Sequence, residues 1–270
     1  MANEAESKLY TNRSGDTSDP APGSSVSYRD ICTCFVQSRV TNQRRVRFHN
    51  DRQDTSSPAW QHLLALIEEA AADAREVFRP LADMSPQERR QIVTLPPTIA
   101  KLTAVKHFIL YGSNLVRIPP EIGAMTSLQE FTPYTSYRLH WYPYELTRCP
   151  SMKRSTVSTR ALYGNEKLRP PFPPLLSGRA VTGALGLDDV EPGEWGATSV
   201  STCSVCDRSL EGIEIHQAWI SLRVATDVLP LLVNACSEAC VQALPTPPED
   251  YVQTPHAGGP RIAQPTADYA

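Results

Sequence analysis

No stretch of the chain approaches the ~18 consecutive apolar residues of a membrane span, and the N-terminus, Met1-Ala-Asn-Glu-Ala-Glu-Ser-Lys8, has no apolar segment of the secretory kind. A membrane partner is therefore not expected, and the expected compartment is the cytoplasm. Strong charge of either sign is also missing, with a formal net charge of −3 and a pI near 6.1. Bulk electrostatics thus argue neither for nor against nucleic acid, and only local patches can decide. The common catalytic signatures are absent: no Gly-x-Ser-x-Gly elbow, no glycine-rich Lys-Ser/Thr phosphate loop and no His-Glu-x-x-His zinc helix. Six histidines, at 49, 62, 107, 140, 216 and 256, give no local pair to act as base and orienter, so no catalytic residue is nominated. Seven cysteines make an odd set, four of them with metal-site spacing, which fits a reducing compartment better than a disulfide framework. What the chain has in excess is proline, 24 of 270 residues, about 9% against a usual ~5%. At 41% hydrophobic content it can still bury a core in one or two domains.

Internal repetition organises the middle of the chain. Leu95-Pro96-Pro97-Thr98-Ile99 recurs as Ile118-Pro119-Pro120-Glu121-Ile122 at an offset of 23 residues. Each copy is followed by an apolar residue at every third position: Ile99, Leu102, Val105, Phe108, then Ile122, Met125, Leu128, Phe131. A stretched third copy, Tyr142-Pro143-Tyr144-Glu145-Leu146, lies 24 residues on and continues through Cys149 and Met152. Cys149 takes the place of Leu102 and Met125, which makes it a small core hydrophobe rather than a nucleophile. A last echo, Leu162-Tyr163-Gly164-Asn165, falls 52 residues after Leu110-Tyr111-Gly112-Ser113, so an insertion separates them.

The unit Val105-x-x-Phe108-x-Leu110-x-x-Ser113-x-Leu115-x-x-Ile118-Pro119 resembles the leucine-rich repeats of Ras-suppressor type, in the form used by many bacterial proteins, with Ser113 at the Asn position. The resemblance covers about residues 92–165, with about three repeats where many members have far more. It implies an α/β fold, a short leucine-rich-repeat solenoid with one parallel strand per repeat on a concave face, and protein binding there. Because side chains alternate along a strand, the residues between the apolar ones point outward. The partner-binding candidates are then His107, Ile109, Tyr111, Glu130, Thr132, Tyr134, Arg154 and Thr156, with Ser158 beside them. Tyr134, Tyr137, His140, Trp141, Tyr142 and Tyr144 crowd next to that face, and of these Tyr137 and Trp141 join the candidates. Aromatics with polar tips dominate binding hot spots, though rings packing their own loop over the repeat edge is the alternative.

Residues 1–27 are Ser-, Gly-, Asp- and Pro-rich without periodicity, a disordered tail. Residues 28–58 are a basic lead-in in which, from Tyr28 to Arg52, Arg29, Arg39, Arg44, Arg45, Arg47 and Arg52 against Asp30 and Asp51 leave +4, either a solvated segment or a phosphate-contacting arm. Residues 59–91 carry an amphipathic helix, with Trp60, Leu63, Leu64, Ile67, Ala71, Ala74 and Phe78 at helical spacing and a stop at Pro80. A capping box then opens a second helix at Ser85-Pro86-Gln87-Glu88. Sitting before the repeats of residues 92–176, these helices are placed to cap the exposed end of the stack. Residues 177–199 are a Pro/Gly-rich linker and 246–270 a Pro-rich tail that could lie along the neighbouring module or serve as a ligand for another domain.

Cys203-x2-Cys206 and Cys236-x3-Cys240 form two close pairs separated by 29 residues within a module spanning 200–245. Two pairs of soft thiolates suit tetrahedral zinc, each pair filling two vertices. The first reads as a tight knuckle and the second as the start of a helix, and together they resemble a treble-clef zinc finger. With four protein ligands the coordination sphere is closed, so the zinc is structural. His216 or His256 replacing one thiolate is the alternative. Ile213, Ile215, Trp219, Ile220, Leu222 and Val224 alternate like strand residues and suggest a small sheet beside the metal. Cys32 and Cys34 are spaced too tightly for an ordinary knuckle; exposed free thiols are expected, with a second metal or a disulfide as alternatives.

These features predict a cytoplasmic scaffold or adaptor that recognises a protein partner through its repeat face and carries a structural zinc module. Two other readings stay open: a nucleic-acid-associated protein using the arginine arm and zinc module, and a substrate-recruiting subunit of a modifying enzyme.

Overall fold

A computed structural model describes residues 35–37, 44–46, 49, 51–164, 171–175, 200–259 and 261–262. The tail 1–27, Cys32 and Cys34, most of the basic lead-in, the linker 177–199 and the chain after 262 lie outside the described residues. Of the lead-in, β1 (Phe35–Gln37) pairs antiparallel with β2 (Arg44–Val46).

Helix α1 (Pro58–Ala72) begins where its chemistry dictates. Ser57 caps it, its hydroxyl accepting from the Trp60 N–H at 3.3 Å, and Pro58 at the first position sacrifices no hydrogen bond. Trp60, Leu63, Ile67 and Ala70 recur on one face and are buried. The helix ends sooner than the apolar spacing predicts. Ala74 lies in the left-handed region at φ 52°, and the chain turns there. Phe78, expected on the helix, instead belongs to β3 (Val77–Phe78), because its burial is satisfied by strand pairing with the repeats. The left-handed conformation costs a residue with a Cβ roughly 1 kcal/mol that glycine avoids. Ala74→Gly is therefore expected to stabilise the protein by about 0.5–1 kcal/mol, read as a higher urea midpoint; a lower midpoint contradicts it.

After α2 (Pro80–Asp83), the expected capping box opens α3 (Pro86–Gln91): Glu88 N–H donates to Ser85 Oγ at 3.3 Å and Ser85 N–H to Glu88 Oε2 at 2.7 Å. Strands β4 (His107–Ile109), β5 (Glu130–Thr132) and β7 (Arg154–Ser155) continue a four-stranded parallel sheet in the order β3-β4-β5-β7. Phe78, Phe108, Phe131 and Ser155 share one row of that sheet, and Val77, His107, Glu130 and Arg154 the next. Behind the strands lie three 3-10 turns, Pro97–Lys101, Pro120–Ala124 and Tyr144–Arg148. Adjacent turns approach closely: a Cβ on Gly123 would meet the Glu145 carbonyl oxygen at 2.7 Å. The apolar residues spaced three apart, from Ile99 to Phe131, are all buried between strands and turns, and so are Leu146 and Cys149. Ser113 is buried as well; its N–H donates to Ser136 Oγ at 3.1 Å, and one step on Thr135 N–H donates to Ser158 Oγ at 2.8 Å.

A second, mixed sheet has the order β6-β9-β8. Strand β6 (Tyr142–Pro143) runs parallel to β9 (Asp227–Ala235), which pairs antiparallel over nine residues with β8 (His216–Val224). The strand alternation read between the two cysteine pairs is thus a long hairpin, and it is buried on both faces. Ile220, Leu222, Val224, Leu229, Leu231 and Val233 join the main core with Phe131 and Leu146, and Cys203 and Cys236 belong to that same core. On the other face Trp219 and Leu232 pack with Trp141, Tyr163, Phe172 and Leu175. Part of the Pro-rich tail is laid against β8, where Trp219 and His256 exchange backbone hydrogen bonds of 2.8 and 3.0 Å.

Candidate metal centre and exposed tyrosine edge

The knuckle is built by backbone geometry. Cys203 N–H donates to the Arg208 carbonyl at 2.8 Å, Asp207 N–H returns to the Cys203 carbonyl at 3.1 Å, and Asp207 takes φ 60° to close the turn. The second pair straddles the start of α4 (Glu238–Gln242), which Ser237 caps by accepting from Cys240 N–H. One turn of helix brings Cys236 and Cys240 to the same side. The four sulfurs of Cys203, Cys206, Cys236 and Cys240 all lie within 4.8 Å of one another. Cys236 Sγ is 3.6 Å from both Cys206 Sγ and Cys240 Sγ. A tetrahedron with metal–sulfur bonds of about 2.3 Å has edges of roughly 3.8 Å, so the residues fit a tetrahedrally bound ion. Four soft donors fit zinc or iron better than calcium or magnesium. His216 and His256 are not part of the cluster; His256 stands edge-on to Phe172 at 4.7 Å.

The surroundings favour thiolate at one corner. Burial opposes ionisation of Cys203, but backbone N–H groups of Cys206, Val205 and Cys236 directed at its sulfur outweigh it and bring the thiol down to about 7. Cys240 moves the other way: the Ser237 hydroxyl pulls its pKa down, yet the Cys236, Cys206 and Cys203 sulfurs, with some burial, push it up to about 12. Neighbouring thiols compete for negative charge, and a cation among them removes that competition.

Residues that the sequence patterns did not single out join this centre to the strand-and-turn region. Arg148 donates to the Ser204 carbonyl at 2.9 Å and the Cys203 carbonyl at 3.3 Å, and its guanidinium ion-pairs with Asp207 at 2.6 Å. Glu145 is buried, which raises its pKa, while a hydrogen bond with the Ser204 hydroxyl works the other way. Ser204 is itself paired with β9, donating its N–H to the Asn234 carbonyl at 2.8 Å and accepting the Asn234 N–H on Oγ at 3.0 Å. The 3-10 turn position of Glu145 and Arg148 is visible in the third repeat copy, but a partner 55 residues away in the chain leaves no local signal.

The strand face divides the remaining candidates. Tyr111, Tyr134, Tyr137 and Arg154 are exposed, and His107, Ile109, Glu130 and Thr156 are half-buried. Glu130 links its neighbours across the strands, with Oε2 3.0 Å from His107 Nδ1 and Oε1 3.7 Å from an Arg154 nitrogen. Tyr111 and Tyr134 lie side by side with ring centroids 6.0 Å apart. Two candidates have no exposed surface to offer. Thr132 is buried at the end of β5, and Trp141 packs edge-on against Trp219 at 5.7 Å with the Arg117 guanidinium 4.9 Å over its ring. The crowded aromatics therefore split: Tyr134 and Tyr137 face solvent, while His140, Trp141 and Tyr142 pack inside.

No protein-family model matches the chain, and no curated protein matches it. Among the described residues no helix is long and apolar enough to cross a membrane.

Proposed function

We propose that this chain is a cytoplasmic scaffold or adaptor in which a short leucine-rich-repeat stack recognises a protein partner and the four cysteines hold a structural zinc ion. The observation that carries the reading is the tyrosine edge. Among the described residues four large hydrophobic side chains are exposed, and three of them are tyrosines: Tyr111 and Tyr134, side by side at the strand face, and Tyr137 three residues further on. Exposed aromatics grouped in this way are characteristic of recognition surfaces. Parallel strands spaced 23 and 24 residues apart, each followed across the core by a 3-10 turn, support the repeat assignment. Four thiolates complete a tetrahedral sphere and leave no position for substrate, which supports a structural ion over a catalytic one.

Partner capture from native lysate tests the reading, with the intact protein and a Tyr111→Ala/Tyr134→Ala variant compared with and without nuclease and across a salt series. Both substitutions are at exposed positions, so the variant should keep its folding midpoint within about 0.5 kcal/mol while losing at least tenfold in partner recovery. Nucleic acid recovered equally by both forms and released by salt would move the function to the arginine arm and the cysteine module.

A further inference from the structure

We propose that metal binding at Cys203, Cys206, Cys236 and Cys240 locks the β8–β9 hairpin as a brace across the end of the parallel sheet, so that metal loading controls the order of β7 and of the strand face it completes. This rests on the reading of the cysteine cluster as a metal centre and adds a regulatory role to it.

The brace is fixed at three points. At its base, beside the cysteines, Arg148 holds the carbonyls of Cys203 and Ser204 and the carboxylate of Asp207, and Glu145 bonds the Ser204 hydroxyl. Each of these contacts goes to a ligand or to a residue next to one, so their positions are set by the knuckle that the metal closes. In the middle, Tyr142 and Pro143 of β6 pair with Leu231 and Leu232 of β9. At the tip, the turn clasps Ser155 of β7. Ser155 N–H donates to Thr226 Oγ1 at 3.1 Å, Thr226 Oγ1 donates to the Ser155 carbonyl at 2.7 Å, and Asp227 N–H donates to Ser155 Oγ at 3.1 Å. Strand β7 is the last of the parallel sheet, and the hairpin tip occupies the side where a further strand would pair. A repeat stack needs such a cover at each end.

Nine paired residues at about 3.3 Å each span roughly 30 Å, which places the metal centre and the Ser155 clasp at opposite ends of one stiff element. The hairpin's register is continuous from His216–Ala235 at the base to Val224–Asp227 at the tip. A change in the base therefore reaches β7 through a connected ladder with packed faces. Arg154, the residue before Ser155, completes the Glu130-centred ion pairs of the strand face, so the clasp bears on the recognition surface as well.

Hydrogen exchange by mass spectrometry on the full chain tests the brace, with zinc bound and after chelation, metal content being measured in each sample. The expected result is at least tenfold faster exchange in peptides covering 154–157 and 224–228 after zinc removal, with peptides from α1 (Pro58–Ala72) unchanged. A Thr226→Val variant, which removes the hydroxyl that holds both the Ser155 N–H and its carbonyl, should still bind one zinc per chain, yet exchange quickly at 154–157 in both states. An Arg148→Met variant should also bind zinc but lose most of the metal-dependent protection there. Zinc bound with no change at β7 overturns the brace and leaves the metal centre standing. Equal acceleration of α1 and β7 overturns it in favour of a general dependence of the fold on metal. Absence of zinc binding by the four cysteines would instead sink the metal reading itself, and the brace with it.

Discussion

Lowering the pH from 7 to 4.5 is expected to cost on the order of 5 kcal/mol of folding stability through two histidines that fold into sites hostile to a proton. His140 is only 2% exposed, its ring stacked 5.3 Å from His49 and 5.4 Å from Tyr163, with Nδ1–H donating to the Ala161 carbonyl. Burial brings its pKa down to about 3; the hydrogen bond to the Ala161 carbonyl pulls the other way, and the neighbouring His49, Arg117 and Arg138 add to the lowering. Burial alone brings His256 down to about 4. In the unfolded chain both titrate near the ordinary value of 6.5. Their native contribution is complete above that value and is lost as pH falls, because only the unfolded chain then takes up protons. The slope is ~1.4 kcal/mol per pH unit for each histidine until the folded pKa is reached. His140 should supply the larger share, since solvent partly reaches His256. A loss of this size is a large fraction of the 5–15 kcal/mol that holds an ordinary domain together. Urea unfolding at pH 7, 6 and 5 on the parent and a His140→Gln variant isolates the effect, because the thiols and carboxylates are common to both. The parent should lose about 0.7 kcal/mol more than the variant between pH 7 and 6 and about 1.2 kcal/mol more between pH 6 and 5. Identical pH slopes would mean that His140 is not held neutral by its surroundings.

How much of this was written locally in the sequence can be traced residue by residue. The three-residue spacing from Ile99 to Phe131 marked the inward side chains because each repeated unit buries the same positions, and the Ser85 capping box was legible because both partners lie within one helical turn. The cysteine pairs were legible by spacing, and their sulfurs gather as the spacing required. The end of α1 was not, since Ala74 carries no glycine to announce a left-handed turn, and Phe78 fits a helical period and a strand equally well. The burial of Trp141 is hidden for a related reason. Its position beside exposed Tyr137 says nothing of Trp219 and Leu232, which pack around it from 78 and more residues away. Arg148, Ser155 and Thr226 were silent because their role exists only once the hairpin crosses the sheet.

Replacing Phe131 with alanine is expected to destabilise the protein by about 3–5 kcal/mol, the largest effect of any single substitution on the sheet. Phe131 is fully buried at the centre of β5, the strand that pairs with both β4 and β7. Its ring belongs to a continuous row through the core: Phe78 and Phe108 at 5.7 Å, Phe108 and Phe131 at 6.1 Å, and Phe131 edge-on to Tyr142 at 5.9 Å. Truncation removes the contact on both sides at once. It also uncouples the parallel sheet from β6, through which the hairpin is attached. The lining rings are anchored in different strands and cannot collapse together to refill the space, so the cavity cost adds to the lost transfer energy. Phe131→Leu keeps most of the volume and should cost below about 1.5 kcal/mol. Tyr134→Ala, three residues along but exposed, should stay within about 0.5 kcal/mol. Urea midpoints for the three variants at one pH and one zinc concentration provide the comparison. If Phe131→Ala and Tyr134→Ala proved equally mild, the aromatic row would not be the core that joins the sheet to the hairpin. The expected order, Phe131→Ala far below Phe131→Leu and Tyr134→Ala close to the parent, separates the residues that hold the sheet from those that it displays.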